Sequence, residues 1–309
     1  MKKQLFLAAT LLATFFTAKA QKPDTAQLLA HYKFTHVRDT ADRTHPYTEN
    51  MVLLVGKSAS AYKSYDGIQD AIAVRKQIEE QKANSPDGNI SIHHRSTASR
   101  TQYYQFPNEQ KLFTVDGLLM NSYLMEDPIP AIDWKISSDT ATFGGLHCQK
   151  ATTRFKGRDY TAWFCPDLPV HAGPWKLNGL PGVVVDAHDS KNDVVFKFDG
   201  VEKAIPSPPK SSAASNPNPD GRQHTVMIGM DDSDADPNLI APPAKAIKTT
   251  QKEFAKLKEA MRKDPQAFAD AIMNSQNANM PGNHDKMMIK VKAGPEPVNN
   301  NPIELPEKK

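Results

Sequence analysis

The sequence predicts a mainly β protein of the α+β kind. It reads as an antiparallel β-sheet body, curved or closing into a half-barrel, with a helical excursion near 66–83 and C-terminal helices. Three observations carry that expectation. Short runs of strand formers with turn signals between them recur from residue 28 to residue 198, the pattern of an antiparallel meander. Apolar residues adopt helical spacing only at 66–83 and again after residue 250. Finally, a tight hairpin can be written out pair by pair around Lys156-Gly157.

Residues 28–37 alternate in the manner of a strand, and 51–55 and 59–65 are two more, separated by Gly56-Lys57-Ser58. In 66–83, Ile68, Ile72, Val74 and Ile78 are apolar while Arg75, Lys76, Glu79 and Glu80 are polar, which is helical spacing. After the turn residues Ser85-Pro86-Asp87-Gly88, strands are expected at 100–106, 111–115, 118–125 and 132–136. A Gly/Pro-rich stretch follows the Lys156-Gly157 hairpin, and then a second hairpin from 182–187 and 193–198, with Val183-Val184-Val185 as a core strand.

The first hairpin also bears on the only two cysteines. Counting outward from Phe155 and Arg158 sets Arg154 against Asp159, Thr152 against Thr161, Ala151 against Ala162 and Cys148 against Cys165. Pairs alternate outward from the hydrogen-bonded pair at the loop. Cys148 and Cys165 therefore form a non-hydrogen-bonded pair, with Cα atoms about 4.5 Å apart, inside disulfide range. A disulfide is the default reading, and two buried free thiols are the alternative.

That default follows from the N-terminus. Lys2 and Lys3 precede an almost uncharged apolar run at 5–16, and Ala18-Lys19-Ala20 supplies small residues for cleavage, so 1–20 reads as a secretory signal peptide. The run is too short for a membrane anchor, which needs roughly 20 residues of helix. The expectation is an exported protein, periplasmic or associated with the outer envelope, with no transmembrane segment in the mature chain. Lys+Arg number 38 against 35 Asp+Glu, and Lys2, Lys3 and Lys19 account for the whole excess. The mature chain is balanced, which gives nucleic acid no electrostatic footprint.

Four further segments are expected: a β domain at 21–203, a Pro/Ser/Asn-rich linker or insertion at 204–247, C-terminal helices at 248–275 and a polar, loosely ordered tail at 276–309. Gln223 to Met230 is a candidate isolated strand within the insertion. Thr250 and Glu253 have the spacing of a capping box, Phe254, Leu257 and Met261 form one apolar stripe, and Asp264-Pro265 starts a second helix.

Residues 171–189, with Gly179-Leu180-Pro181-Gly182-Val183-Val184 at their centre, resemble the signature of the GLPGLI family of exported Bacteroidetes proteins. The run-up fits as well, in Cys148-Gln149-Lys150-Ala151, Gly157-Arg158-Asp159-Tyr160, Ala162-Trp163 and Asp167-Leu168-Pro169, as does the C-terminal Asn301-Pro302-Ile303-Glu304-Leu305. Val183-Val184 replaces the Leu-Ile of the family name. The resemblance implies an envelope location and a β-rich body, and carries no catalytic residues. Physically, Gly173-Pro174 sets a turn, Gly179 and Gly182 free the backbone, Pro181 stiffens the approach to the strand, and Trp163 and Trp175 pack beneath. An architectural role for this loop stands ahead of a ligand groove beside it.

Nucleophile elbow, zincin helix, phosphate loop and dinucleotide fingerprint are all absent from the sequence. The richest titratable cluster is Asp186, His188 and Asp189, of which strand alternation puts Asp186 and His188 on one face and Asp189 on the other. His93-His94 and the pair His31 and His36 do not converge by spacing. Met280, His284, Met287 and Met288 offer soft ligands for copper, set against the plainer reading as methionines of a docked tail. The acidic run from Asp231 to Asp236 resembles a calcium loop, but Pro237 stands where glycine is needed, so it reads as a solvated turn. The expected role is a non-catalytic binding or accessory protein of the envelope, with no cofactor and with an envelope protein or an apolar ligand as partner. The alternatives are a periplasmic copper-binding protein and a hydrolase without a recognisable motif.

Overall fold

The computed structural model describes residues 23–84, 97–205, 236–278 and 298–307. The elements run β1 (Asp24–Thr25), β2 (Leu28–His36), β3 (Tyr47–Val55), β4 (Ser60–Ser64), α1 (Tyr65–Asn84), β5 (Gln102–Phe106), β6 (Lys111–Leu118), β7 (Asn121–Pro128) and β8 (Lys135–Phe143). They continue with β9 (Leu146–Phe155), β10 (Arg158–Cys165), β11 (Val183–Asp189), β12 (Val194–Lys203), β13 (Leu239–Ile240), β14 (Ile247–Thr249), α2 (Gln251–Lys263) and α3 (Pro265–Ala278). Twelve strands make one sheet in the order β14-β7-β6-β5-β4-β3-β2-β12-β11-β10-β9-β8, and β1 pairs with β13 apart from it. Among the described strands only the β14–β7 pairing is parallel. The mainly β, antiparallel class is therefore correct, and the sheet of described strands stops at two ends instead of closing into a barrel.

The sheet bends strongly. Six interstrand steps separate β5 from β10, which at about 4.8 Å per step would hold them roughly 29 Å apart in a flat sheet. Yet one residue, Trp175, accepts a hydrogen bond on its carbonyl from Gln105 of β5 and packs its ring 6.2 Å from Tyr160 of β10. The hollow is filled with side chains. Tyr32, Leu53, Tyr62, Phe164, Phe196 and the loop residues Trp175, Leu177 and Leu180 form one core. A second layer, with Val52, Leu54, Tyr104, Phe113 and Ile240, lies on the opposite face. Strand β3 serves both, which is why its sequence MVLLV is continuously apolar where a one-sided strand would alternate.

Several expectations needed correction. The strand expected at 132–136 begins only at Lys135 and runs through Ser-Ser-Asp-Thr to Phe143. It is the last strand of the sheet, with none of its residues buried, so it lacks the apolar alternation that marks a strand in sequence. Within 204–247, β13 and the first residue of β14 are ordered parts of the fold, and Ile240 is fully buried. At the C-terminus, α3 continues to Ala278. Residues 298–307, placed in the loose tail, dock as a strap.

The helices follow their local signals. Ser64 Oγ accepts the Gly67 amide at 2.9 Å as β4 passes into α1, and Ile78 is the buried residue of that helix's apolar set while Ile72 is exposed. The Thr250–Glu253 capping box is present, and Phe254, Leu257 and Met261 pack with Tyr123, Met125 and Phe268. Among the described residues no helix is long and apolar enough to cross a membrane.

What fixes the strap is a buried guanidinium. Arg158 and Asp189, each with 3% side-chain exposure, pair at 2.7 Å. The remaining Arg158 donors go to the strap: Nε to the Ile303 carbonyl at 2.9 Å, and Nη2 to Asn301 Oδ1 at 2.8 Å and the Pro302 carbonyl at 2.7 Å. Asn301 Nδ2 donates in turn to the Val37 carbonyl, and the Asn301 carbonyl accepts from His36 Nε2 at 2.7 Å. Asp189 also accepts the amides of Asp193 and Val194. Four of the five guanidinium N–H groups are thus hydrogen-bonded, and Nη1 lies a further 3.8 Å from Asp193 Oδ2, the dense pairing that such a buried pair needs if it is to survive desolvation.

Two outcomes follow from this clamp. Arg158→Met leaves the buried Asp189 without its cation and the strap carbonyls without their donors, and urea denaturation should show a loss of about 3–5 kcal/mol. His36 is held below its ordinary value of 6.5, chiefly by burial and further by Arg38 and Arg158, against the pull of the Asn301 carbonyl and Asp193. As pH falls below that value the unfolded chain takes the proton first, so stability should decline there with a slope of up to about 1.4 kcal/mol per pH unit. His36→Gln should remove that part of the slope.

Candidate functional site

Residues 166–182 connect β10 to β11 and carry the glycine-rich signature. The loop is held to the adjoining strands by main-chain bonds, Leu168 N to the Cys165 carbonyl at 3.1 Å and Val184 N to the Ala172 carbonyl at 2.9 Å. Its apolar residues Ala172, Trp175, Leu177 and Leu180 point into the core. Trp175 has a φ of 55° and lies between Phe155 at 5.5 Å and a stacked Phe196 at 6.4 Å. A Cβ on Gly182 would meet the Cys165 carbonyl oxygen at 2.2 Å, so only glycine allows the loop to rejoin β11 so close to the end of β10. Gly179, at φ +89°, has a conformational need but open surroundings.

Trp134, which the sequence reading passed over, holds the loop from outside, its Nε1 donating to the Asn178 carbonyl at 2.7 Å. Trp163 is part-buried, with Phe143 of β8 as its ring neighbour at 5.8 Å. Beside the loop is a cleft of about 220 Å3 lined by Gln105, Pro107, Gln110, Ile129, Pro130, His171, Asn178 and Gly179. Asn178 Nδ2 already donates to the Pro130 and Lys176 carbonyls, and Gln110 Nε2 to the Pro107 carbonyl. The cleft offers a small, mixed surface whose one titratable liner is His171.

The hairpin register is as counted from sequence, from Arg158–Phe155 to Phe164–Gln149. Cys148 and Cys165 lie one step further out, both buried and with free thiols in this structure. The Cys148 thiol is pushed up to about 12, first by burial and then by Cys165 beside it, so as a thiol it is inert near neutrality.

Asp186 and His188 approach to 3.9 Å on the part-exposed side of β11. Asp189 faces the other way and belongs to the Arg158 pair, so the three do not assemble. His31 bonds Glu202 at 3.1 Å while His36 bonds the strap, so these two histidines serve different partners. Among the described residues no group of three or more His, Cys, Asp or Glu side chains is placed to hold a metal ion. His93, His94, the strand expected at 223–230, the acidic run up to Ala235, and Met280, His284, Met287 and Met288 lie outside the described residues. The part of the structure that sequence reasoning missed is the union of Arg158 with Asn301, whose only signal was the resemblance of each segment to the same family.

Comparison with known proteins adds a family. The profile described as N-glycanase peptide, N-terminal domain, matches residues 58–216. Among solved structures, PNGF-II in the P21 space group is 13% identical with a TM-score of 0.40, covering 59% of this chain and 29% of that one. PNGF-II in the C2 space group is 12% identical with a TM-score of 0.45, covering 75% of this chain and 32% of that one. The chain thus spans less than a third of the length of those structures. No curated protein matches it.

The two signature glycines should respond differently to alanine. Gly182→Ala forces the main chains of β10 and β11 apart and should cost about 3 kcal/mol in thermal or urea unfolding. Gly179→Ala meets only the left-handed penalty of about 1–2 kcal/mol.

Proposed function

The chain belongs to the N-glycanase peptide, N-terminal domain family, and from that premise we propose that it is an exported, non-catalytic binding or accessory module of the cell envelope. The observation that carries this reading is the allocation of its acid–base groups. Asp189 is committed to a buried structural ion pair, and Asp186 and His188 lie 3.9 Å apart, beyond hydrogen-bond distance, on the part-exposed side of a strand where Asp186 accepts the Phe198 amide. General acid–base chemistry requires a base within hydrogen-bond reach and a partner that holds it. The family name links such modules to an N-glycanase, which makes glycosylated material a ligand to test beside an envelope protein or an apolar group seated at the loop cleft. The leader-like residues 1–20 and the GLPGLI-like segments support the envelope location.

Two measurements test the proposal. Incubation with an N-glycosylated peptide should release no glycan by mass spectrometry, and release would show the chain to be an enzyme. Non-reducing peptide mapping of protein from the exported fraction should recover residues 148 and 165 as one linked peptide. Its reduction should cost about 3 kcal/mol of stability. A free thiol at Cys148 in that fraction would contradict either the export or the pairing.

A further inference from the structure

We propose that the outward face of β8 to β11 is a saccharide-binding surface, an inference that rests on reading the chain as a binding module. The sheet register brings Lys135, Thr152, Thr161 and His188 into one row across four adjacent strands. Residues paired in this way project from the same face, so at about 4.8 Å per strand the row extends roughly 14 Å. On one side of it Arg154 and Asp159 form an ion pair at 3.0 Å. On the other, the register aligns Lys150, Trp163 and Asp186. The core residues Ala151, Tyr160 and Ala162 occupy the alternate positions and face the hollow.

Lys135, Thr152 and Thr161 of the row line a cleft of about 480 Å3, together with Arg154, Asp159, Asp133 and Ser190. Over β3 to β7 the same side of the sheet is covered: Tyr65 and Ile68 of α1 and Ile240 of β13 pack at the β3 to β6 region, and α2 and α3 at β6 and β7.

The chemistry of the lining selects the ligand class. Asp133 and Asp159 balance Lys135 and Arg154, so the cleft has no net charge with which to favour an anion or a cation. Strands β9 and β10 are hydrogen-bonded along both edges, which leaves no main-chain groups for an added peptide strand. What the surface does offer is hydroxyls, carboxylates and cationic donors side by side. Vicinal hydroxyl groups, which donate and accept at once, match that set.

The test uses the intact protein and a defined probe, the core pentasaccharide of N-linked glycans, with the unglycosylated peptide as control. Titration calorimetry and NMR line shifts would be measured for the wild type, for the isosteric double variant Thr152→Val/Thr161→Val, for Asp159→Ala, and for His171→Ala at the loop cleft. Unfolding midpoints would confirm that each variant is folded. The expected result is saccharide binding, weakened at least tenfold in the first two variants and unchanged in the third. Binding unaffected by the threonine and aspartate changes but weakened by His171→Ala would overturn this surface and leave the binding-module reading standing. No binding of the pentasaccharide by the wild type would also overturn it. Glycan release from a glycopeptide would instead overturn the non-catalytic reading beneath it.

Discussion

The guanidinium of Arg158 sits where five parts of the chain meet: the Lys156-Gly157 turn, the end of β11, the start of β12, the end of β2 and the C-terminal strap. A planar fork of donors is the one side chain able to satisfy a carboxylate, an amide oxygen and two carbonyls at once, and lysine could not replace it. The arrangement also explains why the glycine of that turn is needed. A Cβ on Gly157 would press to within 2.7 Å of Leu305, so the strap can lie against the turn only because the side chain is missing. Glu304 adds to the attachment, half-buried between Lys156 and Lys176, which hold its carboxyl below the usual range even though burial acts in the opposite direction.

The bent sheet divides its work between two faces. Its hollow is closed by the 166–182 loop, and Trp175 takes the place that a ligand would fill in an open half-barrel. Such a loop needs unusual backbone angles and close approaches, which accounts for its glycines without invoking chemistry. Polar variety gathers on the outer face of β8 to β11, where the paired residues are threonines and charged groups.

Elements marked by a repeating burial pattern or by local chemistry were legible in the sequence. The hairpin from 146 to 165 could be set in register by counting, because a two-residue turn fixes every later pair. The capping box at Thr250 did the same for α2. Elements that draw their stability from elsewhere left no such trace. Strand β8 is exposed, β13 has two residues and β14 three, and each exists because a neighbour supplies hydrogen bonds to it. The Asp186, His188 and Asp189 cluster was readable as far as its split faces. That Asp189 had a buried arginine partner was not, because Arg158 is distant in sequence and meets it only through the register of β10 on β11.

A sheet that never closes has two ends to protect, and this one treats them differently. At β7 a three-residue parallel strand leads straight into α2, a lid too short to serve as a template. At β8 the ladder breaks between Ile136 and Thr140, and the displaced segment is tied inward by Gln149 to the Ser137 carbonyl and by Lys150 to Asp139. A kinked, charged margin is a poor surface for another strand. Neither border of the described sheet therefore presents the long, flat edge along which copies of a chain zip into larger sheets, and the fold guards them by shape instead of by closure.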